Sequence, residues 1–495
     1  MKTKILNETF GLKEFRPYQS EIIDAIFNQD NKGILTVMPT SSGKSLLYQL
    51  PSLISENLTI VISPLISLMK DQVDFLRSKG IAAEFYNSSL LESEKRQVEK
   101  KLINQSIKLL YVAPERFDDQ NFKQAVQMTN KIGLFAVDES HCISSWGHDF
   151  RPSYRKLTDV IEFLKPQQII ALTATATKRV QKDICKQLNI PNAAKFVTGF
   201  YRPDLSLHVK RCTSDTKIQK IVRQIKAFRN MGKDTGIIYS PTRGFVDQIY
   251  NELQKEGITS SVYHAGLSDA AREQSQNNWF RNGGIIIATV AFGMGIDKPD
   301  VRFILHAGLP SSVENYYQEI GRASRDGKGA ICCIYFDPFK DIGLQEFFIE
   351  MSYPPDDEIV TFWSWCCRVA DNNKLITMTQ KDMAERSGVK SHCVPGCISK
   401  LKENGLITTL GRGKYEIRNK NIFLNSTTFN FDQLNEQRQS RFDTLHEMSD
   451  FVNNNDDCRM LQILHYFDDY SRIKKCNKCD ICIDRIKRTK PVEEK

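Results

Sequence analysis

A strand, a loop of small residues and a helix follow one another directly near the N-terminus, and they constrain the fold more than any other feature. Gly33–Met38 is an apolar, β-branched run, which is typical of a buried strand, and Pro39 ends it. A helix follows from about Leu46. Backbone N–H groups in such a loop can surround an anion, and the helix N-terminus favours negative charge. The pattern predicts a parallel α/β sheet with a phosphate site formed by Pro39, Thr40, Ser41, Ser42, Gly43, Lys44 and Ser45.

Lys44 and Ser45 give this loop a specific chemistry. The lysine supplies a positive charge for the β- and γ-phosphates of a nucleoside triphosphate, and the serine hydroxyl can hold Mg²⁺. The strict phosphate-loop pattern has glycine where this chain has Met38. A chance Gly-Lys-Ser turn is therefore the alternative interpretation.

Two carboxylates strengthen the phosphate-loop interpretation. Asp138 and Glu139 follow the apolar run Ile132–Val137, and ligand sites of open α/β sheets lie at such strand ends. Asp138 could hold Mg²⁺ together with Ser45, and Glu139 could polarise the attacking water as a general base. The alternative is a solvated acidic turn, but the order and spacing of the two motifs favour nucleotide hydrolysis.

The chain alternates strand-like and helix-like stretches twice, which favours two parallel-sheet α/β domains. Its 495 residues leave room for about three or four domains. The expected strands of the first domain are Gly33–Met38, Leu58–Ile62, Ile107–Val112, Ile132–Val137 and Gln168–Leu172. The expected strands of the second are Gly236–Tyr239, Ser261–Tyr263, Ile285–Ala288, Val301–His306 and Ala330–Phe336.

Charge and hydropathy narrow the function classes. The net charge of +9 suits a polyanionic partner, although many basic proteins bind no nucleic acid. The sequence has no uninterrupted apolar run of membrane-spanning length and no signal-peptide core. We therefore expect an intracellular protein without a membrane partner.

The second half has no phosphate loop but carries two arginines on one helical face. Arg322 and Arg325 are three residues apart, in a segment that begins at Gln318. Guanidinium groups that reach across an interdomain cleft can stabilise transition-state charge on a phosphoryl group. A surface helix with salt bridges is the alternative, and the complementary half-site favours the catalytic interpretation.

An aromatic and basic segment follows the carboxylates directly. Trp146, His148, Phe150 and Arg151 alternate ring faces that stack on bases with groups that pair with phosphates. The alternative is a buried aromatic cluster, and Tyr154 fits that alternative. For Trp146 and Phe150 we favour contact with DNA, close enough to Glu139 to report its presence.

The region Leu375–Ile417 is predicted to form a winged helix. A helix over Thr379–Gly388 and a second over Val394–Gly405 precede a hairpin whose tip is Gly411–Gly413. Such a unit can contact duplex DNA and separate its strands, or it can contact protein.

Four of the thirteen cysteines have metal-ligand spacing. Cys476, Cys479 and Cys482 follow a C-x₂-C-x₂-C pattern, and Cys458 lies upstream. This pattern predicts a structural Zn²⁺ site with all four positions filled, and an iron–sulfur cluster is the alternative. The other nine are scattered through apolar runs and read as small buried hydrophobes rather than as a disulfide framework.

Taken together, the motifs resemble the RecQ family of superfamily 2 DNA helicases, over residues 7–340 and again at the C-terminus. The loop Ile143–Tyr154 is the most specific feature, because it follows the Asp-Glu-Ser-His box as in RecQ proteins. The other matching segments are Phe15–Gln19, Met38–Ser45, Ser63–Leu65, Val112–Arg116, Asp138–His141, Leu172–Thr175, Tyr239–Thr242, Ala288–Pro299 and Gln318–Asp326.

The resemblance implies two tandem RecA-like motor domains, a winged-helix-like domain and a zinc-binding helical domain. Expected boundaries are 1–205, 206–342, 343–425 and 426–495. The winged helix thus precedes the zinc motif, whereas in the common RecQ layout it follows, and no room remains for a terminal accessory domain.

The resemblance also implies roles for single residues. Gln19 would read adenine with Arg16 nearby, while Leu12 stands where many members have an aromatic residue that stacks on adenine. Asp297 would bind nucleotide from the second domain, and His264 and Thr289 would track DNA phosphates. Further residues with implied roles in catalysis and coupling are His141, Thr173, Thr175 and Gln318.

The sequence thus predicts an ATP- and Mg²⁺-dependent DNA helicase with bound Zn²⁺, and the resemblance implies 3′→5′ movement. The alternatives are an RNA helicase or remodeller and a non-enzymatic zinc and winged-helix DNA-binding protein. We expect DNA as partner, single-stranded or as a tailed or branched duplex, and a single-stranded-DNA-binding protein as a candidate partner. A monomer is expected, cytoplasmic and nucleoid-associated in a prokaryote or nuclear in a eukaryote.

Overall fold

The structure is a computed structural model of the 495-residue chain. It describes every residue except 29, 31, 41, 130, 145, 148, 294, 295, 297, 471, 472 and 490–495.

The first domain is built on a parallel sheet of seven strands in the described part of the chain, in the order β3-β4-β2-β5-β6-β1-β7. Helices cover both faces, so the central strands are apolar on both sides: Leu35 and Val37 pack into one core, and Ile34 into the other. The strands are β1 Ile34–Val37, β2 Leu58–Ile62, β3 Ala83–Tyr86, β4 Leu109–Val112, β5 Ile132–Val137, β6 Gln168–Thr173 and β7 Ala194–Val197. The helices are α1 Lys2–Glu8, α2 Gln19–Phe27, α3 Leu46–Ile54, α4 Ile66–Ser78, α5 Glu92–Ile103, α6 Gln120–Gln127, α7 Pro152–Arg155, α8 Leu157–Leu164 and α9 Lys178–Gln187.

The second domain repeats this architecture with six parallel strands among the described residues, in the order β10-β11-β9-β12-β13-β8. The strands are β8 Leu205–Arg211, β9 Gly236–Tyr239, β10 Ser260–Tyr263, β11 Ile285–Ala288, β12 Phe303–His306 and β13 Ala330–Phe336. The helices are α10 Ser214–Asn230, α11 Arg243–Lys255, α12 Asp269–Asn282 and α13 Val313–Ile320. Ser312 starts α13, because its hydroxyl accepts a hydrogen bond from the Asn315 N–H at 3.1 Å.

A winged helix follows the second sheet, as the hydrophobic pattern predicts. Thr379 caps α16 and Gly388 ends it in the left-handed region, with φ of 77°. Its small antiparallel sheet has the order β14-β16-β15. The elements are α14 Asp341–Ser352, α15 Asp356–Val369, β14 Leu375–Thr377, α16 Gln380–Ser387, α17 Val394–Glu403, β15 Ile407–Gly411 and β16 Lys414–Ile417.

A long helix then brings the chain back to the second domain. Helix α18, Phe431–Asn453, packs against α14 and α13, so the winged helix is inserted between α14 and α18. Beyond it lie α19, Arg459–Tyr466, and α20, Asp480–Thr489, which both contact β8. The zinc motif therefore lies against the second domain even though the winged helix separates the two in sequence.

The fold class that the sequence predicts is confirmed: two parallel α/β sheets and a C-terminal helical region. Three strands of the two parallel sheets were not predicted, namely Ala83–Tyr86, Ala194–Val197 and Leu205–Arg211. All three are outer strands whose residues are partly exposed, so they lack the continuous apolar run of the central strands.

Candidate functional site

The phosphate loop lies at the carboxyl end of β1, between that strand and α3. The Lys44 ammonium donates to the carbonyl oxygens of Met38 at 3.1 Å and of Pro39 at 3.2 Å. Both acceptors belong to the loop itself, so the lysine is held at the centre of the loop. A phosphate group that entered there would find a positive charge already in place.

The Gln19 side chain, at the start of α2, is hydrogen-bonded to this loop. Its side-chain amide donates to the carbonyl oxygens of Ser42 at 3.0 Å and Gly43 at 3.2 Å. Gly43 has φ of 78°, and a Cβ there would lie 2.6 Å from the Gln19 Nε2 atom. Glycine is thus required both by the backbone conformation and by the close approach of Gln19. Arg16 lies beside the pair: its backbone N–H donates to Gln19 Oε1 at 2.9 Å, and the residue is exposed.

The predicted carboxylates lie two strands away on the same edge of the sheet. Asp138 follows β5, and its Oδ1 accepts from the Glu139 N–H at 3.0 Å. The pKa of Asp138 is raised to about 7, first by burial and then by the negative charge of Glu139, with Lys44 opposing the shift. Ser45 and Asp138 offer a hydroxyl and a carboxylate, which are oxygen ligands of the kind that Mg²⁺ prefers. The donor set therefore fits the ion.

Lys44, Asp138, Glu139 and Arg325 form one charge centre. Burial lowers the pKa of Lys44, the two carboxylates raise it, and Arg325 from the second domain lowers it. Arg325 is thus close enough to the phosphate loop for its charge to act on Lys44.

A chain of polar contacts joins the carboxylates to the second domain. The Nδ1 atom of His141 lies 3.4 Å from Glu139 Oε2 and 2.9 Å from the Thr173 hydroxyl. Thr173 lies at the end of β6, between the strands that carry the phosphate loop and the carboxylates. Thr173 Oγ1 donates to the Thr175 carbonyl at 3.1 Å, and Gln318 Nε2 donates to the Thr175 hydroxyl at 3.1 Å. Hydrogen bonds thus connect His141 to Gln318 on α13, and Glu139 lies beside His141.

His141 is neutral in this path. Burial lowers the pKa of its ring to about 4. Because the Thr173 hydroxyl already donates to Thr175, it accepts from His141, which places the ring proton on Nδ1. The neutral imidazole therefore acts as a hydrogen-bond donor that fixes the position of the Thr173 hydroxyl, and it carries no charge.

A second contact between the two domains lies at the phosphate loop. The Thr40 hydroxyl donates to the Gly321 carbonyl at 2.9 Å, and a Cβ at Gly321 would lie 2.1 Å from that hydroxyl oxygen. The second domain thus touches the loop through the first residue after α13, directly before Arg322. Arg322 is 6% exposed, and its Nε has no hydrogen-bond partner among the described residues.

Arg202 holds the backbone on both sides of Arg322. Its guanidinium donates to the carbonyl oxygens of Gly321 at 3.4 Å and Ala323 at 2.9 Å, and it pairs with Asp204 at 2.8 Å. The sequence analysis did not single out Arg202. The Arg-x-Asp pattern in the linker before β8 is the signal that could have found it, but such pairs are common at surfaces.

An open groove of about 750 Å³ runs between the two domains. Arg151 lines it from the first domain, and Thr289 and Arg322 line it from the second. Arg151 pairs with Asp149 at 3.0 Å and donates to the Pro64 carbonyl at 3.0 Å, so it also joins the aromatic segment to the loop after β2.

The two predicted stacking residues of the aromatic segment are partly exposed. The Arg179 guanidinium lies 3.2 Å from the centre of the Trp146 ring, and that of Arg155 lies 5.5 Å from the centre of Phe150. Each ring is thus paired with a cation, as at sites where bases stack. Tyr154 is fully buried and donates to the Asp138 carbonyl at 3.1 Å, as its alternative interpretation predicts.

Other predicted residues lie apart from the groove or outside the described residues. His264 is buried, accepts from the Gly266 N–H at 3.1 Å and faces Asp247 at 3.7 Å, so its ring is used within the second domain. Leu12 is exposed. The predictions for Ser41, His148 and Asp297 fall outside the described residues.

The four predicted zinc ligands come together. The Sγ atoms of Cys458, Cys476, Cys479 and Cys482 all lie within 4.8 Å of one another, and all four residues are buried. Hydrogen bonds from the Cys476 and Cys479 thiols lower the pKa of Cys458. Four converging sulfur ligands fit a tetrahedral Zn²⁺ ion, with no position left for water.

The zinc segment, which runs from Cys458 to Cys482, is hydrogen-bonded to β8 and the linker before it, and also to α13. Asp480 accepts from the Val209 N–H on β8 at 2.9 Å, and Asp469 accepts from the Phe200 N–H at 2.7 Å. Tyr466 donates to Glu314 on α13 at 2.5 Å. Since α13 carries Gln318, the zinc segment helps to fix the position of the helix that contacts Thr175.

Comparison with known protein families places three matches along the chain. Residues 16–184 match the family described as DEAD/DEAH box helicase, and residues 216–327 match the helicase conserved C-terminal domain. Residues 416–483 match the RecQ zinc-binding family. These segments include the phosphate loop, the arginines and the four cysteines.

Curated relatives are similar over most of the chain. The ATP-dependent DNA helicase RecQ of Haemophilus influenzae is 42% identical over 356 residues, which are 72% of this chain and 56% of that protein. The Bacillus subtilis protein of the same name is 43% identical over 351 residues, 70% of this chain and 58% of the relative. The chain thus spans little more than half the length of these relatives.

A solved structure of the helicase MrfA bound to DNA has the same fold. It matches with a TM-score of 0.56 at 17% identity and covers 86% of this chain and 64% of its own. None of the helices in the described residues combines the length and the apolar character that crossing a membrane requires.

Proposed function

The chain belongs to the RecQ family of superfamily 2 helicases, and on this basis we propose that it is an ATP-dependent DNA helicase. ATP hydrolysis drives it 3′→5′ along single-stranded DNA and separates a duplex ahead of it. The observation that carries the proposal is the hydrogen-bonded path from His141 through Thr173 and Thr175 to Gln318, with Glu139 beside His141. That path joins the hydrolytic group to the domain that must move.

The ATP site uses residues from both domains. Lys44 binds the β- and γ-phosphates, and Gln19 with Arg16 selects adenine. Ser45 and Asp138 would hold Mg²⁺, which would neutralise phosphate charge. Glu139 takes the proton of the attacking water, and Arg322 and Arg325 stabilise the charge that develops on the γ-phosphate.

Movement follows from opening and closing the cleft. The Thr40–Gly321 and Gln318–Thr175 hydrogen bonds form only when the second domain lies against the phosphate loop. Nucleotide between the domains supplies additional contacts in this closed state, and loss of the γ-phosphate removes them. The resulting cycle of closure and release changes the spacing of DNA contacts on the two domains.

The DNA path runs over the groove between the domains. Trp146 and Phe150 offer ring faces to bases, while Arg151 and Thr289 bind phosphates along the groove. The Arg151 guanidinium is held beside this path by its hydrogen bond to the Pro64 carbonyl of the first domain. His264 acts indirectly, by shaping the turn that contains Gly266.

Zn²⁺ bound to the four cysteines has a structural role in this proposal. Bound metal fixes the segment between Cys458 and Cys482, which in turn contacts the linker and α13. The metal thereby supports the position of α13 without taking part in hydrolysis.

We further propose that the protein acts as a monomer on single-stranded DNA and on tailed or branched duplexes. Its place is with the chromosome, in the cytoplasm of a prokaryote or the nucleus of a eukaryote. A single-stranded-DNA-binding protein is its candidate protein partner, since both occupy the same strand.

Unwinding of labelled duplexes tests the proposal directly. Purified protein with ATP and Mg²⁺ is given a 3′-tailed, a 5′-tailed and a blunt DNA duplex, together with a 3′-tailed RNA duplex. We expect strand separation of the 3′-tailed DNA only. Preference for RNA would favour an RNA helicase, and preference for the 5′ tail would reverse the polarity.

A paired variant separates catalysis from binding. Lys44→Ala removes the phosphate-binding charge, and we expect unwinding and hydrolysis to fall to background while DNA binding remains. Lys226→Ala removes an exposed lysine that pairs with Glu256 in the second domain, and it should unwind like the wild type. Unwinding by Lys44→Ala would overturn the proposal.

A further inference from the structure

A second concave surface lies on the second domain, away from the groove between the domains. It is an open cleft of about 510 Å³ between β8 and α10. Strand β8 forms one edge of the second sheet, whereas β10 and β11, which lead to the groove residues, form the other. The cleft is therefore separate from the ATP site and from the proposed single-strand path. We refer to it as the β8–α10 cleft.

The charged residues that line this cleft are all basic. Lys210 and Arg211 come from β8, and Lys220 and Arg223 come from α10. All four side chains are exposed, and among the described residues none of the four pairs with a carboxylate. The cleft therefore concentrates uncompensated positive charge.

The contacts that these cations do make are with neutral acceptors. The Lys210 ammonium donates to the Gln224 side chain at 2.5 Å, and Lys220 donates to the Arg211 carbonyl at 3.1 Å. Arg211 itself donates to the Asn453 side chain at 2.7 Å, at the end of α18. These hydrogen bonds hold the cations in place. Because neutral acceptors do not neutralise a positive charge, the cations can still bind an anion.

The one aromatic ring that lines the cleft is buried. Tyr335 is fully buried, and the Lys210 ammonium lies 5.9 Å from the centre of its ring. The cleft therefore offers cations without an exposed ring.

We propose that the β8–α10 cleft binds phosphate groups of the duplex part of the DNA substrate, outside the single-strand path; this rests on the proposed helicase function. Single-strand sites combine cations with exposed rings on which bases stack, and the one ring of this cleft is buried. Cations without a stacking surface contact backbone rather than bases, and such contacts hold a duplex without reading its sequence. The cleft lies at the C-terminal end of α18, where Arg211 contacts Asn453, and β8 also contacts α19 and α20 of the zinc segment.

The test compares two double variants with the same change of charge. Lys220→Gln/Arg223→Gln removes two cations from the cleft, and Lys226→Gln/Arg229→Gln removes two exposed cations from the same helix outside it. Fluorescence anisotropy measures the affinity for a 3′-tailed duplex and for the single-stranded tail alone, at several salt concentrations. None of the four residues belongs to the catalytic machinery, so ATP hydrolysis with the single strand serves as the check on folding.

For the cleft variant we expect about 10-fold weaker binding of the tailed duplex and a log–log salt slope smaller by about 1 to 2. Binding of the tail alone and hydrolysis should match the wild type, and the control variant should bind both ligands like the wild type. Equal effects of the two double variants, or no effect of either, would overturn the proposal.

Inorganic tripolyphosphate distinguishes a free polyphosphate from a DNA backbone as the source of phosphate. Its binding to the wild type is measured by calorimetry. Tripolyphosphate binding that is lost in the cleft variant while duplex affinity is kept would assign the cleft to a free anion and overturn the duplex proposal. A wild type that hydrolyses no ATP with DNA would instead contradict the proposed function itself.

Discussion

The cleft between the two sheets and the joint between the winged helix and α14 both place one helix against a neighbouring unit, but they use different interactions. In the cleft, single hydrogen bonds cross the gap: Thr40 to Gly321 at 2.9 Å and Gln318 to Thr175 at 3.1 Å. In the joint, the α17 backbone at Gly396 lies so close to α14 that a Cβ would be 2.3 Å from the Met351 carbonyl oxygen.

Side chains continue this difference along the joint. The Phe347 ring on α14 lies 4.7 Å from the His392 ring, and the Lys400 ammonium lies 4.7 Å from the Tyr353 ring. Hydrogen bonds exchange with water at small net cost, whereas separating a closely packed joint forfeits many contacts at once. The cleft is therefore built to open and close, and the winged helix is built to stay on α14. The face of α17 that packs against α14 in this joint is not available to DNA.

The largest effect is expected at the arginine that enters the cleft. Arg322→Ala should lower the turnover number of DNA-stimulated ATP hydrolysis about 10³-fold, because the charge that stabilises the transition state is lost. Nucleotide affinity should change little, since Lys44 and the loop remain. Steady-state hydrolysis and nucleotide titration measure the two quantities.

The control for this change is Arg281→Ala, an exposed arginine at the end of α12 in the same domain. It should hydrolyse ATP like the wild type. A turnover number for Arg322→Ala within 10-fold of the control would show that the closed cleft does not depend on this guanidinium.

A smaller effect is expected where the cleft is joined by one hydrogen bond. Thr175→Val removes the hydroxyl that accepts from Gln318, and it should lower DNA-stimulated hydrolysis about 10- to 100-fold while hydrolysis without DNA changes less. Thr175→Ser keeps the hydroxyl and should retain most of the activity. Gln318→Ala should add little to Thr175→Val in a double-mutant cycle, because both remove the same bond. Additive losses would contradict the path.

Much of the cleft could be predicted because its chemistry is carried by contiguous residues. Lys44 and Asp138 each follow an apolar strand, and the ends of parallel strands meet at one edge, so local patterns alone bring them together. The zinc ligands have the same advantage, since three of the four lie within seven residues. The RecQ family resemblance is confirmed by the comparisons, which support the DNA helicase interpretation over its alternatives.

The rest depends on contacts between segments that are far apart in sequence. Nothing local shows that Thr40 meets Gly321, or that Arg202 meets Ala323. The local sequence also does not show that the zinc segment contacts the second domain, since the winged helix intervenes. Helix α18 brings the chain back to that domain, and its length of 23 residues was not predicted. Its apolar positions are divided between two partners, so they form no single stripe.

Arg202 offers a sharper test of how the cleft is held in register. Its guanidinium holds the carbonyl oxygens on either side of Arg322, so we expect Arg202→Lys to lower the turnover number about 10-fold with an unchanged Michaelis constant for ATP. A purely structural role would lower the melting temperature without changing the turnover number of the folded enzyme. Arg302→Lys is the matched control, because Arg302 pairs with Asp326 and holds the Gly329 carbonyl at 3.1 Å, away from Arg322. Equal losses in both variants would remove Arg202 from the cleft.

The joint should respond in stability rather than in activity. Gly396→Ala places a methyl group against the Met351 carbonyl, and we expect a loss of about 1 to 3 kcal/mol in the free energy of unfolding of the winged-helix unit. Gly343→Ala is the matched control: it lies within α14 with open space around it, so alanine there should be neutral or stabilise by up to about 1 kcal/mol.

Urea unfolding followed by tryptophan fluorescence measures both, since Trp363 and Trp365 lie in the core of that unit. Single-strand-stimulated hydrolysis should stay within about twofold of the wild type in both variants, because the ATP cleft shares no contact with Gly396. If Gly396→Ala instead abolished hydrolysis while the protein stayed folded, the joint would belong to the moving parts, and the contrast with the cleft would fail.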